Sequence, residues 1–177
     1  MSFEDVKKFN KIIVTGPQRS GTTICAQMLA HDLKVRYVDE SDIGIYTESA
    51  IRALCTSDPG FVLQCPRAAF ACHTFIYPDV AVVFMYRGSY DIKKSQDRIN
   101  WTNSYQHDEL SLYGVTNRTI STVKYHTWRT KQKQLIPNAF EIWYDTLQTH
   151  KFWVKPEDRL NSRGRETFVK EINSWVL

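Results

Sequence analysis

The amino-acid sequence predicts an α/β domain: a doubly wound parallel sheet of about five strands flanked by helices, with residues 1–177 forming one unit. Three observations carry this expectation. Short apolar runs alternate along the chain with stretches of helical periodicity. One run, Val80–Tyr86, is apolar throughout, as expected of a strand covered on both faces of a parallel sheet. A glycine-bounded turn, Gly16 to Gly21, separates the first apolar run from the first helical stretch, where α/β domains hold ligands.

The elements follow in order. Lys11–Thr15 (KIIVT) is the first strand, and Thr22–Leu33 a helix with Ile24, Met28 and Leu29 on one face. A short strand over Val35–Val38 precedes a helix around Tyr46–Leu54, closed by the turn Ser57-Asp58-Pro59-Gly60. Phe61–Cys65 reads as the third strand, Ala68–Tyr77 as helical, and Val80–Tyr86 as the fourth strand. Residues 90–135 are polar with a helical pattern and a loop near Leu110–Val115. Phe140–Tyr144 alternates as a fifth strand, and Phe168, Ile172 and Val176 mark a last helix.

Composition bounds the function classes. The chain is 42% hydrophobic and 24% charged, without low-complexity tracts, and at its length buries roughly 70% of its unfolded surface. A net charge of +4 suits an anionic ligand, while no dense Lys/Arg run argues for a nucleic-acid partner. The first residues are charged throughout, and no apolar run approaches the ~20 residues of a membrane span. A soluble, cytoplasmic protein without a membrane partner is expected. Cys25, Cys55, Cys65 and Cys72 form no C-x-x-C pair and are expected as reduced thiols. Cys65, Cys72 and His73 match no standard zinc spacing, so no metal is expected.

The stretch IIVTGPQRSGTT carries the chemistry. Backbone amides at a glycine turn and a helix N-terminus make an anion site. Gly16 and Gly21 permit close approach, and Ser20, Thr22 and Thr23 add hydroxyls. The ATP-binding P-loop, G-x-x-x-x-G-K-[S/T], has a lysine after its second glycine. Here Thr22 stands in that position, and the nearby cation is Arg19, two residues before Gly21.

RSGTT between an apolar strand and a helix resembles the 5′-phosphosulfate loop of the sulfotransferases, which use 3′-phosphoadenosine 5′-phosphosulfate as donor. The resemblance implies a P-loop-containing fold in which Gly16, Gln18, Arg19, Ser20, Gly21, Thr22 and Thr23 hold the phosphate and the sulfonate bridge, without metal. The family's second signature is an arginine ending an apolar strand and a serine eight residues later, gripping the 3′-phosphate. Arg87 ends Val80–Tyr86, and Ser95 follows it by eight residues. A bidentate, permanently charged guanidinium suits that task.

Further segments resemble the family more loosely. Tyr144-Asp145-Thr146-Leu147 is similar to a segment near the adenine, which implies a donor contact for Tyr144 or a core role. Ser162-Arg163-Gly164-Arg165 is similar to a closing Arg-Lys-Gly stretch, so Arg163 is either a donor contact or part of a solvated charge run. The segment after the loop is closest to the tyrosylprotein sulfotransferases: Met28-Leu29, Val35-Arg36, then Asp39-Glu40. That resemblance implies Glu40, expected at the carboxyl end of the second strand beside the loop, as the base that removes the acceptor proton, with a helix cap as the alternative reading of Asp39-Glu40-Ser41. Arg67 falls near a sulfonate-contacting lysine of that subfamily, and His73 is the reserve base. The partner implied is a small-molecule nucleotide donor, with the acceptor left open between hydroxyl and amine. A P-loop kinase of a small molecule and a non-catalytic nucleotide-binding remnant are the competing classes.

Overall fold

The computed structural model describes residues 3–43, 48–70, 72, 77–98, 129–130 and 132–153, with the backbone alone at 67 and 70. A short helix α1 (Phe3–Val6) leads into β1 (Lys11–Thr15), α2 (Thr22–Leu33), β2 (Arg36–Asp39), α3 (Glu48–Ser57) and β3 (Phe61–Gln64). A 3₁₀ turn (Pro66–Phe70), β4 (Val80–Tyr86), α4 (Ser89–Arg98), β5 (Ala139–Trp143) and a second 3₁₀ turn (Tyr144–Thr149) follow, with helical residues 129–130 and 132–135 before β5. The expected helices over Tyr46–Leu54 and Thr167–Val176, and the loop near Leu110–Val115, fall partly or wholly outside the described residues.

The five strands form one parallel sheet in the order β2-β3-β1-β4-β5. Alternate residues face opposite sides, so the apolar runs serve two cores. On one face Ile12, Val14, Ala81, Val83 and Met85 pack against Ile24, Cys25, Met28 and Leu29 of α2. On the other, Ile13, Leu63, Val82 and Phe84 pack against Ile51, Leu54 and Cys55 of α3. Each Val, Leu, Ile, Met or Phe among them contributes about 1.5–3 kcal/mol on burial. Coverage of both faces explains why β4 carries no polar residue before its last position.

Several element boundaries differ from expectation by a few residues, α3 for instance ending at Ser57 rather than Leu54 and β3 at Gln64 rather than Cys65; three differences have a local reason. Val35 is not the start of β2: its N–H bonds the Ala30 carbonyl at 3.1 Å, while Lys34, in the left-handed conformation, bonds His31. This double closure is a Schellman motif and consumes Val35 in the end of α2. Where Ala68–Tyr77 was expected to be helical, a 3₁₀ turn spans Pro66–Phe70, its first carbonyl taken by the Thr15 hydroxyl at 3.1 Å. β5 begins and ends one residue early, because Tyr144 leaves the sheet to open the second 3₁₀ turn.

Strand order locates the candidate site. After β1 the chain crosses towards β2, and after β4 it crosses the other way towards β5. Adjacent strands whose connections diverge leave a crevice beyond their carboxyl ends, where open α/β sheets bind ligands. The Gly16–Gly21 turn and Arg87 leave the sheet at that crevice. No described helix is long and apolar enough to cross a membrane.

Candidate functional site

The loop from Gly16 to Thr23 is held in an unusual backbone shape. Gly16 has φ 153° and Gly21 φ 97°, both disfavoured for side-chain-bearing residues. Arg19 also has positive φ, at 70°, which costs an L-residue about 1–2 kcal/mol. The Ser20 N–H closes a turn onto the Pro17 carbonyl at 3.0 Å, and positive φ at the third turn residue makes it type II-like. Arg87 secures the strained residue: its Nη1 donates to the Arg19 carbonyl at 2.8 Å.

Arg19 in turn meets the third expected residue. Arg19 Nε donates to Ser95 Oγ at 3.3 Å, across 76 positions of sequence. Ser95 is buried on the inner side of α4 beside Ile92. The two motifs therefore converge on one crevice. They stand in direct contact rather than at well-separated ends, so any ligand spanning them must present its anionic groups close together.

Tyr144 explains the second glycine. A Cβ on Gly21 would collide with Tyr144 Cδ2 and lie 2.8 Å from its Cε2. The Arg87 guanidinium lies over the same ring, 4.0 Å from its centroid. Trp153 packs edge-on at 5.2 Å, and the residue is 5% exposed. Tyr144 thus supports Arg87 and the loop from beneath, and its ring has no open face for a ligand. Its segment is tied back to the N-terminal half through Asp32. That carboxylate pairs with Lys7 at 2.7 Å, His31 at 3.1 Å and His150 at 3.2 Å. Burial would push the Asp32 carboxyl up, but bonds from Lys7, His31 and His150 outweigh it and hold it down to about 2.

The loop donors divide unevenly. The Ser20 amide is spent in the turn, which corrects the expectation that it faces a ligand. The amides of Thr22 and Thr23 open the first turn of α2, where no intrahelical acceptor precedes them and the helix dipole favours an anion. Ser20 is fully buried, and its Oγ has no hydrogen-bond partner among the described residues. Thr22 Oγ1 is also buried, and accepts from Gln64 Nε2 at 3.2 Å. Gln64, at the end of β3, is a site residue that sequence reasoning missed. Its signal was one polar residue closing the otherwise apolar run Phe61–Gln64.

Glu40 stands differently from expectation. It follows β2, but β2 is the edge strand and β3 lies between it and β1. Two strand spacings, about 10 Å, separate the carboxyl end of β2 from that of β1, so Glu40 is not adjacent to the strand that delivers the loop; it is partly buried. The neighbouring Asp39 is buried and accepts from Tyr37 Oη at 3.0 Å, Ser41 N at 3.1 Å and Ser41 Oγ at 2.7 Å. Asp39, not Glu40, is the residue that caps the following turn. Arg67 has its backbone in the 3₁₀ turn anchored by Thr15. Gln18 is partly buried in the loop. His73 and Arg163 lie outside the described residues.

Chemically, the crevice offers two guanidinium groups, a helix N-terminus and a buried orphan hydroxyl on a glycine cradle. Those residues fit a compact dianionic ligand. Comparison with protein-family models, with curated proteins and with solved structures finds no match to this chain.

Proposed function

We propose that the chain is a small sulfotransferase that moves a sulfonate group from 3′-phosphoadenosine 5′-phosphosulfate to a hydroxyl or amine acceptor. The observation that supports this most is the convergence of Arg19, Arg87 and Ser95 on the glycine loop. In this reading Arg87 and Ser95 grip the 3′-phosphate. Arg19 and the first turn of α2 neutralise the charge that grows on the 5′-phosphate as it leaves. The acceptor's lone pair forms the new bond to sulfur while the sulfur–oxygen bond to the phosphate breaks. The proton released from the acceptor passes to Glu40. A base at the end of β2 reaches an acceptor lying over the end of β3, beside Gln64 and the turn that carries Arg67. Cations and hydroxyls supply the charge stabilisation that a metal gives in ATP-binding loops, which agrees with a threonine in the lysine position.

Calorimetric titration of 3′-phosphoadenosine 5′-phosphate against ATP–Mg²⁺ tests this. The 3′-phosphorylated nucleotide is expected to bind without metal and more tightly. Preference for ATP–Mg²⁺ would indicate a small-molecule kinase and overturn the reading. Binding of the 3′-phosphorylated nucleotide without turnover on a broad acceptor panel would indicate a nucleotide-binding domain without transferase activity.

A further inference from the structure

Gly21 opens α2 without a side-chain cap, so no side chain at the N-cap position fixes the start of the helix. The side-chain bond that reaches the first turn comes from the sheet. Gln64, the last residue of β3, donates from Nε2 to Thr22 Oγ1 at 3.2 Å, across 42 positions of sequence. Thr22 is the first residue of α2 and stands in the position of the P-loop lysine. It is buried, with its hydroxyl committed to Gln64. What the helix start offers an anion is therefore the Thr22 amide together with that of Thr23.

The end of β3 is itself tied to the strand that delivers the loop. Gln64 is in register with Val14 of β1. The Cys65 N–H donates to the Val14 carbonyl at 3.0 Å, and the Thr15 hydroxyl donates to the Pro66 carbonyl at 3.1 Å. Gln64 thus reaches Thr22 from a fixed support. The amide is not there for packing. Gln64 is 4% exposed, and its Oε1 is buried with no hydrogen-bond partner among the described residues. An unpaired buried acceptor destabilises a fold, whereas replacing both members of a buried polar pair by apolar groups of the same shape is nearly neutral. Phe61, Val62 and Leu63, the rest of β3, are buried apolar residues. The bond to Thr22 is what distinguishes the last position of the strand.

We infer that Gln64 is a positioning residue for the transferred group's anion: it sets the first turn of α2 so that the Thr22 and Thr23 amides meet the 5′-phosphate of the donor. The inference rests on the donor reading above and adds how the loop is set where no lysine follows Gly21. Gln64 acts through Thr22 and does not touch the ligand. An amide suits this task, because it donates to the hydroxyl without adding charge. A carboxylate in its place would repel an anion across a short, poorly solvated path. As the bond between sulfur and the phosphate oxygen breaks, the same two amides face the oxygen on which charge grows. Misplacing the turn therefore weakens the grip on the 5′-phosphate and leaves the grip of Arg87 on the 3′-phosphate as it was.

The test is metal-free calorimetric titration of 3′-phosphoadenosine 5′-phosphate and of adenosine 3′-phosphate, which lacks the 5′ group. Gln64→Met, similar in length but without the donor, should bind the first compound about 10-fold more weakly than wild type and the second within about 2-fold. Thr22→Val should do the same. The double variant should lose no more than either single one, because each removes the same bond. With both partners apolar, the double variant should also melt close to wild type or above, which separates the loss of affinity from any loss of stability. Unchanged affinity in Gln64→Met, equal losses for the two compounds, or additive losses in the double variant overturn the assignment and leave the donor reading in place. If wild type binds neither compound, both fall.

Discussion

Replacing Gly21 by alanine tests the loop most sharply. Two penalties combine there. The residue has φ 97° and ψ 19°, a left-handed conformation that costs an alanine about 1–2 kcal/mol. The added methyl also collides with Tyr144 Cδ2 and stands 2.8 Å from Cε2. Tyr144 cannot swing aside freely, since Arg87 lies over it at 4.0 Å and Trp153 packs on its edge at 5.2 Å. Overpacking of this kind costs about 1–3 kcal/mol. Gly21→Ala should therefore destabilise the fold by about 2–4 kcal/mol, a fall in Tm on the order of 5–15 °C for a domain of this size. Urea unfolding measures it. Adding Tyr144→Leu in the same chain relieves the collision but not the backbone strain, so the double variant should lose less than the two single losses summed. A single-variant loss below about 1 kcal/mol, or strict additivity in the double variant, would refute the packing argument.

Three further outcomes are expected. Because the Asp32 carboxyl is held down to about 2 in the folded chain, its stabilisation is complete above about pH 5 and drains away as pH falls towards 2. That contribution is about 1–2 kcal/mol after allowing for solvent at a partly exposed site, so chemical denaturation from pH 5 to 2.5 should show a steeper loss in wild type than in Asp32→Asn. Burial pushes the Cys25 and Cys72 thiols well up and the Cys55 thiol up to about 11; a thiol reagent at pH 8 should label these three slowly until denaturant is added, and rapid native labelling would contradict their burial. Glu40→Gln should cut sulfonate transfer by at least about 100-fold while changing nucleotide affinity less than about 2-fold; wild-type rates would remove Glu40 from the base role.

The strands were legible because their signal is strong and local. Ile12-Ile13-Val14 and Val80–Tyr86 are apolar enough that the doubly covered sheet is nearly obligatory, and β1, α2 and β4 have the expected bounds. The arginine and serine markers were legible as spacings, and the sheet then brings them into contact. Other features depend on pairs distant in sequence. Strand order is one: nothing in residues 36–40 says that β3 inserts between β2 and β1, which is why Glu40 seemed adjacent to the loop. The seating of Tyr144 against Gly21 is another, since it joins residues more than a hundred positions apart. That contact also explains why the fifth strand stops before Tyr144. The alternating run Phe140–Tyr144 shows the period of a strand but not the demand of the glycine it must meet.

The account rests on Arg87 and the loop holding one ligand between them. The direct measurement is the affinity of 3′-phosphoadenosine 5′-phosphate relative to adenosine 5′-phosphate, in wild type and in Arg87→Ala. Wild type is expected to prefer the 3′-phosphorylated compound by about 100-fold, as charge-assisted bonds to a phosphate imply, and the variant should lose that preference. An equal preference in both proteins would contradict the central claim.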